Sequence, residues 1–276
     1  MESEGIAVMD SETFIEAVLS ANRRFQGQVW WRGQSISTWT LSPSVARLNR
    51  GHRYEQNMIL RFMQRAPARH PKTPGPTDIS GWLFLMQHYR LPTRLLDWTE
   101  SPLTACFFSV DLHQHPNDDG ALYALSPYAL NYAQVQEYAV LTPAHPKAFA
   151  AVRHAFNDDV PDVNYTVGLL PSEADVRMMV QLSVFTVHGS AMDLEGLPNR
   201  HDFLMKFEVP ATAKPLLAEQ LKTLGVRESA LFPDLEHLAS ETKGLHFVPP
   251  SQGPGVPTAQ PRAPNAPLQE EIDTPP

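Results

Sequence analysis

An α+β fold, with a mixed or antiparallel sheet core and flanking helices, is what this sequence predicts. Three observations lead there. The 276 residues are 42% hydrophobic and 19% charged, enough apolar material for a sizeable core. Short β-type runs (QVWWRGQ, ALYAL, VFTVH, LMKFEV) are interspersed with stretches of helical spacing. The two kinds of segment follow no regular alternation, which favours α+β over a doubly wound parallel sheet.

The elements follow in order. Asp10 to Ala21 predicts a helix, capped by Asp10 or Ser11, with Phe14, Ile15, Val18 and Leu19 as its apolar stripe. QVWWRGQ, rich in aromatics and ending near Gly33, predicts an inner strand that delivers Arg32 to its end. Tyr54 to Arg65 repeats apolar residues at helical spacing. Pro67 to Pro76 is a loop, because four prolines and Gly75 forbid regular structure. Ile79 to Tyr89 predicts a second long helix, with Trp82, Leu85, Met86 and Tyr89 facing the core and Leu91-Pro92 ending it.

Ser101-Pro102 is a helix start, the serine capping and the proline in the first turn. The turn Asn117–Gly120 leads into the strand ALYAL, and a helix is expected around Ala148 to Phe156. Val184–His188 and Leu204–Val209 read as strands, and Pro215–Leu224 as a helix closed by Gly225. A last helix, capped by Asp234, turns Leu235 and Leu238 inward. One globular unit over 1–246 and a disordered Pro-rich tail over 247–276 complete the expected organisation.

The N-terminus is acidic where a secretory signal is basic, and no apolar run approaches membrane-spanning length, so a cytoplasmic protein without membrane attachment is expected. Cys106, the single cysteine, excludes an internal disulfide and a cysteine-rich zinc site. The net charge of −8 conceals an asymmetry: between Asn22 and Leu95 there are 12 Lys/Arg against Glu55 and Asp78, or +10. Such a segment implies either a phosphate-rich partner or ion pairing across the fold with the acidic remainder.

Three clusters carry potential chemistry. Trp31-Arg32-Gly33-Gln34 combines a stacking surface, a charge and close backbone access, which suits a phosphate or nucleotide. Gln87 to Pro102 is dense in polar and titratable groups, among them His88, Tyr89, Thr93, Arg94, Asp97, Thr99 and Ser101; it reads as a loop between two helices. Ser101 either caps its helix or directs its hydroxyl to a ligand. Gln181 interrupts the apolar run RMMVQLSVF and needs a partner if buried. His188 has no second ligand at metal-binding spacing, and there is no Walker loop, GxGxxG, HExxH or GxSxG.

WRGQ, LSPSVAR, the block WLFLMQHYRLPTRLLDWTESPLTACFF, QLSVFT and LFPDLEHLA together resemble the bacterial FRG domain, in order, from about the first helix to Lys243. The chain departs from that pattern at Trp31, where Phe or Tyr is usual, and at Leu182-Ser183, where Gln-Gly is usual. A second resemblance, to the ADP-ribosyltransferase superfamily, implies a mechanism. Arg32, the Thr99–Ser101 region and Gln181 occur in the order of that superfamily's NAD-binding arginine, Ser/Thr strand and late acid.

The resemblance implies Arg32, Ser101 and Gln181 as catalytic residues. Trp31, Arg32, Gly33, Gln34, His88, Tyr89, Thr93, Arg94, Asp97 and Thr99 would contact NAD, a substrate used without a metal. Gln181 is neutral where the superfamily has an acid, so Asp97, Glu100 or Glu173 would have to supply the charge. The implied role is a toxin or anti-phage effector. Its acceptor would be RNA, DNA or a protein, with an antitoxin or another protein as a further partner. A non-catalytic nucleotide- or nucleic-acid-binding module and a metal-independent ribonuclease using His88 are the alternatives.

Overall fold

A computed structural model describes residues 6–244 apart from 49, 51, 158, 172–175 and 191–192. The expected tail and Glu173 lie outside the described residues. Six strands form one antiparallel sheet: β1 Trp30–Gln34, β2 Leu95–Thr99, β3 Gly120–Leu125, β4 Thr166–Leu169, β5 Ser183–His188 and β6 Leu204–Val209. Their order is β4-β5-β2-β1-β3-β6, so β1 is an inner strand. The helices are α1 Ser11–Phe25, α2 Ser44–Arg47, α3 His52–Arg65, α4 Ile79–His88, α5 Pro102–Ser109, α6 Pro127–Val135, α7 Pro146–Phe156, α8 Val176–Val180, α9 Lys214–Thr223, α10 Glu228–Leu231 and α11 Leu235–Gly244.

Period-2 alternation along β1 and β3 gives the sheet two apolar faces. Trp31, Leu122, Ala124 and Phe207 pack under α1, α5 and α9 against Phe14, Ala105, Cys106 and Leu217. Trp30, Leu96, Trp98, Tyr123 and Leu125 face the other way, onto Leu41, Leu130 of α6, Leu194 and Phe203. The β4–β5 end is covered by α4 and α7 through Leu83, Phe84, Ala151 and Val152. No described helix is long and apolar enough to cross a membrane.

Local chemistry explains the boundaries. Asp10 caps α1 by accepting the Thr13 amide at 2.9 Å, and Ser101 caps α5 by accepting the Thr104 amide at 3.2 Å, with Pro102 next. Ser126-Pro127 repeats that device at α6. α4 ends one residue earlier than expected. Arg90 takes a left-handed conformation (φ 59°), its amide donates to the Gln87 carbonyl and that of Leu91 to Met86, which closes the helix before Pro92 is reached.

The structure corrects several expectations. Leu95–Thr99 is a strand of the sheet, not a loop: Leu96 and Trp98 turn into one core while Asp97 lies exposed. Tyr89 is exposed, because the helix has ended; Leu83 and Phe84 are buried instead. On α1 the buried positions are Phe14, Ala17 and Ala21, leaving Ile15 and Leu19 in solvent. Leu235 and Leu238 of α11 are likewise exposed rather than inward.

Gly33 has a packing reason. A Cβ there would stand 1.8 Å from the Ala105 carbonyl oxygen and 2.7 Å from the Ser109 amide, so α5 lies directly on β1. The close approach expected at Gly33 is made by the protein's own helix.

Candidate functional site

β1 pairs with β3 over five residues but with β2 at one register pair, Trp31↔Thr99. Past that pair the two strands no longer share a ladder, and Arg32 lies where they part. Its guanidinium Nη1 donates to the Asp97 carbonyl oxygen at 2.7 Å, satisfying an acceptor that a paired strand would otherwise take. A cleft of about 1300 Å³ opens here, with Arg32, Gln34, Gln87, Asp97, Thr99 and Gln181 in its lining, together with Arg177, Phe232 and His237.

Arg32 is half-buried. Burial holds its guanidinium below the ordinary arginine value; the charge of Asp97 opposes this, and the like charge of Arg47 adds to it. Its Nε has no hydrogen-bond partner, and neither has Oε1 of Gln34, two residues along the same face of β1. Trp30 Nε1, on that face as well, is also without one. Buried polar atoms left unpaired in this way cost on the order of 1–3 kcal/mol each. Arg32 Nε and Gln34 Oε1, a donor and an acceptor, are thus unsatisfied just behind the cleft wall.

Asp97 brings a carboxylate to the cleft from the face of β2 opposite Leu96 and Trp98. Gln87, in the last turn of α4, donates from Nε2 to its Oδ2 at 2.8 Å, and the Thr93 hydroxyl donates to Gln87 Oε1 at 2.5 Å. The Thr93 oxygen in turn accepts the Leu95 amide at 3.1 Å. Thr93 thus positions Gln87, which positions Asp97. Gln87, absent from the expected site residues, was signalled by a single amide side chain breaking the apolar run WLFLM.

Thr99 gathers the other predicted residues. Its hydroxyl donates to the Gln181 carbonyl at 2.6 Å and accepts the Ser101 amide at 2.9 Å, while Trp31 pairs with it across the sheet. Segments carrying Arg32, Ser101 and Gln181 thereby meet around one side chain. The functional ends of two of them are engaged, however. Ser101 Oγ caps α5, and Gln181 Nε2 donates to the Leu231 carbonyl at 2.9 Å, tying α8 to α10.

Three further expected contacts, and Ser101, lie elsewhere. Tyr89, Thr93, Arg94 and Ser101 do not line the cleft. Tyr89 packs edge-on against His70 and His88. Arg94 is buried, forming a paired contact with Glu55 (2.9 and 2.8 Å), an ion pair with Asp162 (3.1 Å) and bonds to the Ala151 and Gly189 carbonyls. Although burial lowers it, the bond and charge of Glu55, with Asp162, leave its guanidinium above the ordinary value. Trp31 borders the cleft but is only 2% exposed, so most of its indole belongs to the core.

The basic third does not converge on the cleft. Of its twelve Lys/Arg, Arg32 and Arg90 line it. Arg94 closes the buried ion pair, and Arg53, Arg61, Arg65, Arg69 and Lys72 stand exposed on α3 and the loop after it. His188 is fully buried between the Thr166 and Thr186 hydroxyls at 3.3 and 3.1 Å, a satisfied core histidine.

Neither the curated proteins nor the solved structures contain a match to this chain. The family model of the FRG domain matches residues 27–118, a span that holds β1, β2 and the Arg32, Gln87 and Asp97 side chains of the cleft.

Proposed function

We propose that the cleft binds NAD, with its pyrophosphate against Arg32, and that the chain transfers ADP-ribose from it to a macromolecular acceptor. The observation that carries this reading is the condition of Arg32: half-buried in the cleft wall where β1 and β2 part, bonded to one backbone carbonyl and unpaired at Nε. An anion against the Arg32 guanidinium would be neutralised by it, and phosphates suit the arginine fork. The volume of about 1300 Å³ accommodates a dinucleotide.

In the step itself the bond from the ribose C1′ to nicotinamide nitrogen breaks, and its electron pair leaves with neutral nicotinamide. Positive charge spreads over C1′ and the ring oxygen. The acceptor's lone pair then forms the new bond to C1′, and its proton passes to water. Asp97, whose carboxylate lines the cleft and is oriented by Gln87, is the group we assign to stabilise the developing charge, in place of the neutral Gln181. Gln181 orders the cleft wall through Leu231. A nucleic acid is the favoured acceptor and a protein the other; a toxin or anti-phage role accords with the resemblance.

The test is purified protein with NAD and a cell extract. Wild type should release nicotinamide, and Asp97→Asn should slow release about 100-fold while changing NAD affinity by no more than a few-fold. Wild type that binds no NAD by calorimetry, or an Asp97→Asn variant as active as wild type, would sink the proposal. Binding without release would leave the non-catalytic module, a reading favoured by the commitment of the Gln181 carboxamide to Leu231.

A further inference from the structure

α3 is two-faced. Ile59, Phe62, Met63 and Ala66 beyond its end pack onto Trp82, Met86 and Ala155, and its acid, Glu55, is buried against Arg94. The opposite face carries Arg53, Asn57, Arg61, Gln64 and Arg65, all exposed. At 100° per residue these fall within about 120° of the helix circumference, and Arg53 to Arg65 spans about 18 Å. Arg69 and Lys72 extend the row beyond the helix, and Arg50, over the exposed Tyr54 ring at 5.6 Å, precedes it. Among the described residues no acid pairs with Arg53, Arg61 or Arg65. The neighbouring α7 adds Lys147 and Arg153 and contains no acid.

We infer that this row docks the backbone of a nucleic acid strand. The observations favour that occupant over an anionic membrane. The α3 charges follow the helix axis, they are nearly all arginines suited to bidentate phosphate contact, and the exposed Tyr54 ring offers a stacking surface. The apolar side of α3 is used by the core, and Leu60 and Tyr54, exposed beside the row, are too few to form the apolar face of a membrane-lying helix. No residue of α3 lines the cleft, so the inference stands apart from the NAD reading.

Binding of a fluorescent 20-nucleotide single-stranded RNA, measured by anisotropy across a salt series, tests it. Wild type should bind with a steep salt dependence. Arg53→Gln/Arg61→Gln/Arg65→Gln should weaken binding at least 10-fold at low salt and flatten the log–log slope by about 2, since each lost phosphate contact removes about 0.7. Its NAD binding should be unchanged, and Arg32→Ala should bind RNA as wild type does, which separates the two proposals. Should the triple variant misfold, RNA must still protect the α3 arginines of wild type from phenylglyoxal. Absence of RNA binding, a triple variant with wild-type affinity and slope, no protection, or a preference for phosphatidylserine vesicles would overturn the inference.

Discussion

Arg32 and Arg94 come from the same basic third of the chain, and both are withdrawn from water, yet their surroundings are opposite. Arg94 has two carboxylates and two carbonyls for its nitrogens. Arg32 has one carbonyl bond, an unpaired Nε, and the charges of Asp97 and Arg47 acting on it in opposite directions. A buried cation with every donor answered has its structural role on view, since removing it strands its partners. One with a donor left over keeps a capacity for bonding that the chain itself does not use.

The sharpest way to break this contrast is to truncate each arginine and compare stabilities. Arg94→Met leaves Glu55 buried without its counter-charge and should cost about 3–5 kcal/mol, read in urea unfolding. A loss below about 1 kcal/mol would mean that the two sites do not differ as described. Arg32→Met should leave unfolding within about 0.5 kcal/mol of wild type, or raise it, because an incompletely satisfied cation is replaced by an apolar chain. The same variant should bind NAD at least 10-fold more weakly, about 1.4 kcal/mol, by calorimetry. Normal NAD affinity would remove Arg32 from the ligand's reach.

Thr93→Val probes the bridge between the two regions. It breaks the hydroxyl bond that sets Gln87 and should cost about 1 kcal/mol of stability, with a fall in nicotinamide release larger than any change in NAD affinity. A further signature, confined to alkaline pH, belongs to the core beneath β1. Burial pushes the Cys106 thiol from 9.0 up to about 12. The unfolded chain ionises first, so this contribution is whole below pH 9 and is lost as pH rises from 9 towards 12. Cys106→Ser should abolish that part of the alkaline decline in stability.

What sequence alone could reveal divides along physical lines. β1, β3, α5 and α9 carry their own signals, in β-formers, a Ser-Pro cap and a closing glycine, and were legible. β2 was not, because Leu95–Thr99 sits in a run crowded with polar groups and its pairing partner β5 lies some ninety residues on. β4 is four residues long and includes Gly168, too little to register a period. α6 could have been found, since Ser126-Pro127 repeats the Ser101-Pro102 start.

At the site, residue type identified Arg32, Gln34 and Asp97 as cleft groups, but it could not distinguish Arg94 from them. That distinction depends on Glu55 and Asp162, at separations of 39 and 68 residues, and no local pattern contains it. Gln87 was passed over for the related reason that its importance comes from what Thr93 and Asp97 do on either side of it.

The parting of β1 from β2 after one pair has a dynamic corollary. Arg32 is the staple across that seam, closing with a side chain what the ladder leaves open. A phosphate that drew the guanidinium aside would free the Asp97 carbonyl and loosen the middle of the sheet while its outer strands kept their pairing. Amide exchange along the seam would then quicken on occupancy, the reverse of the usual tightening around a bound molecule.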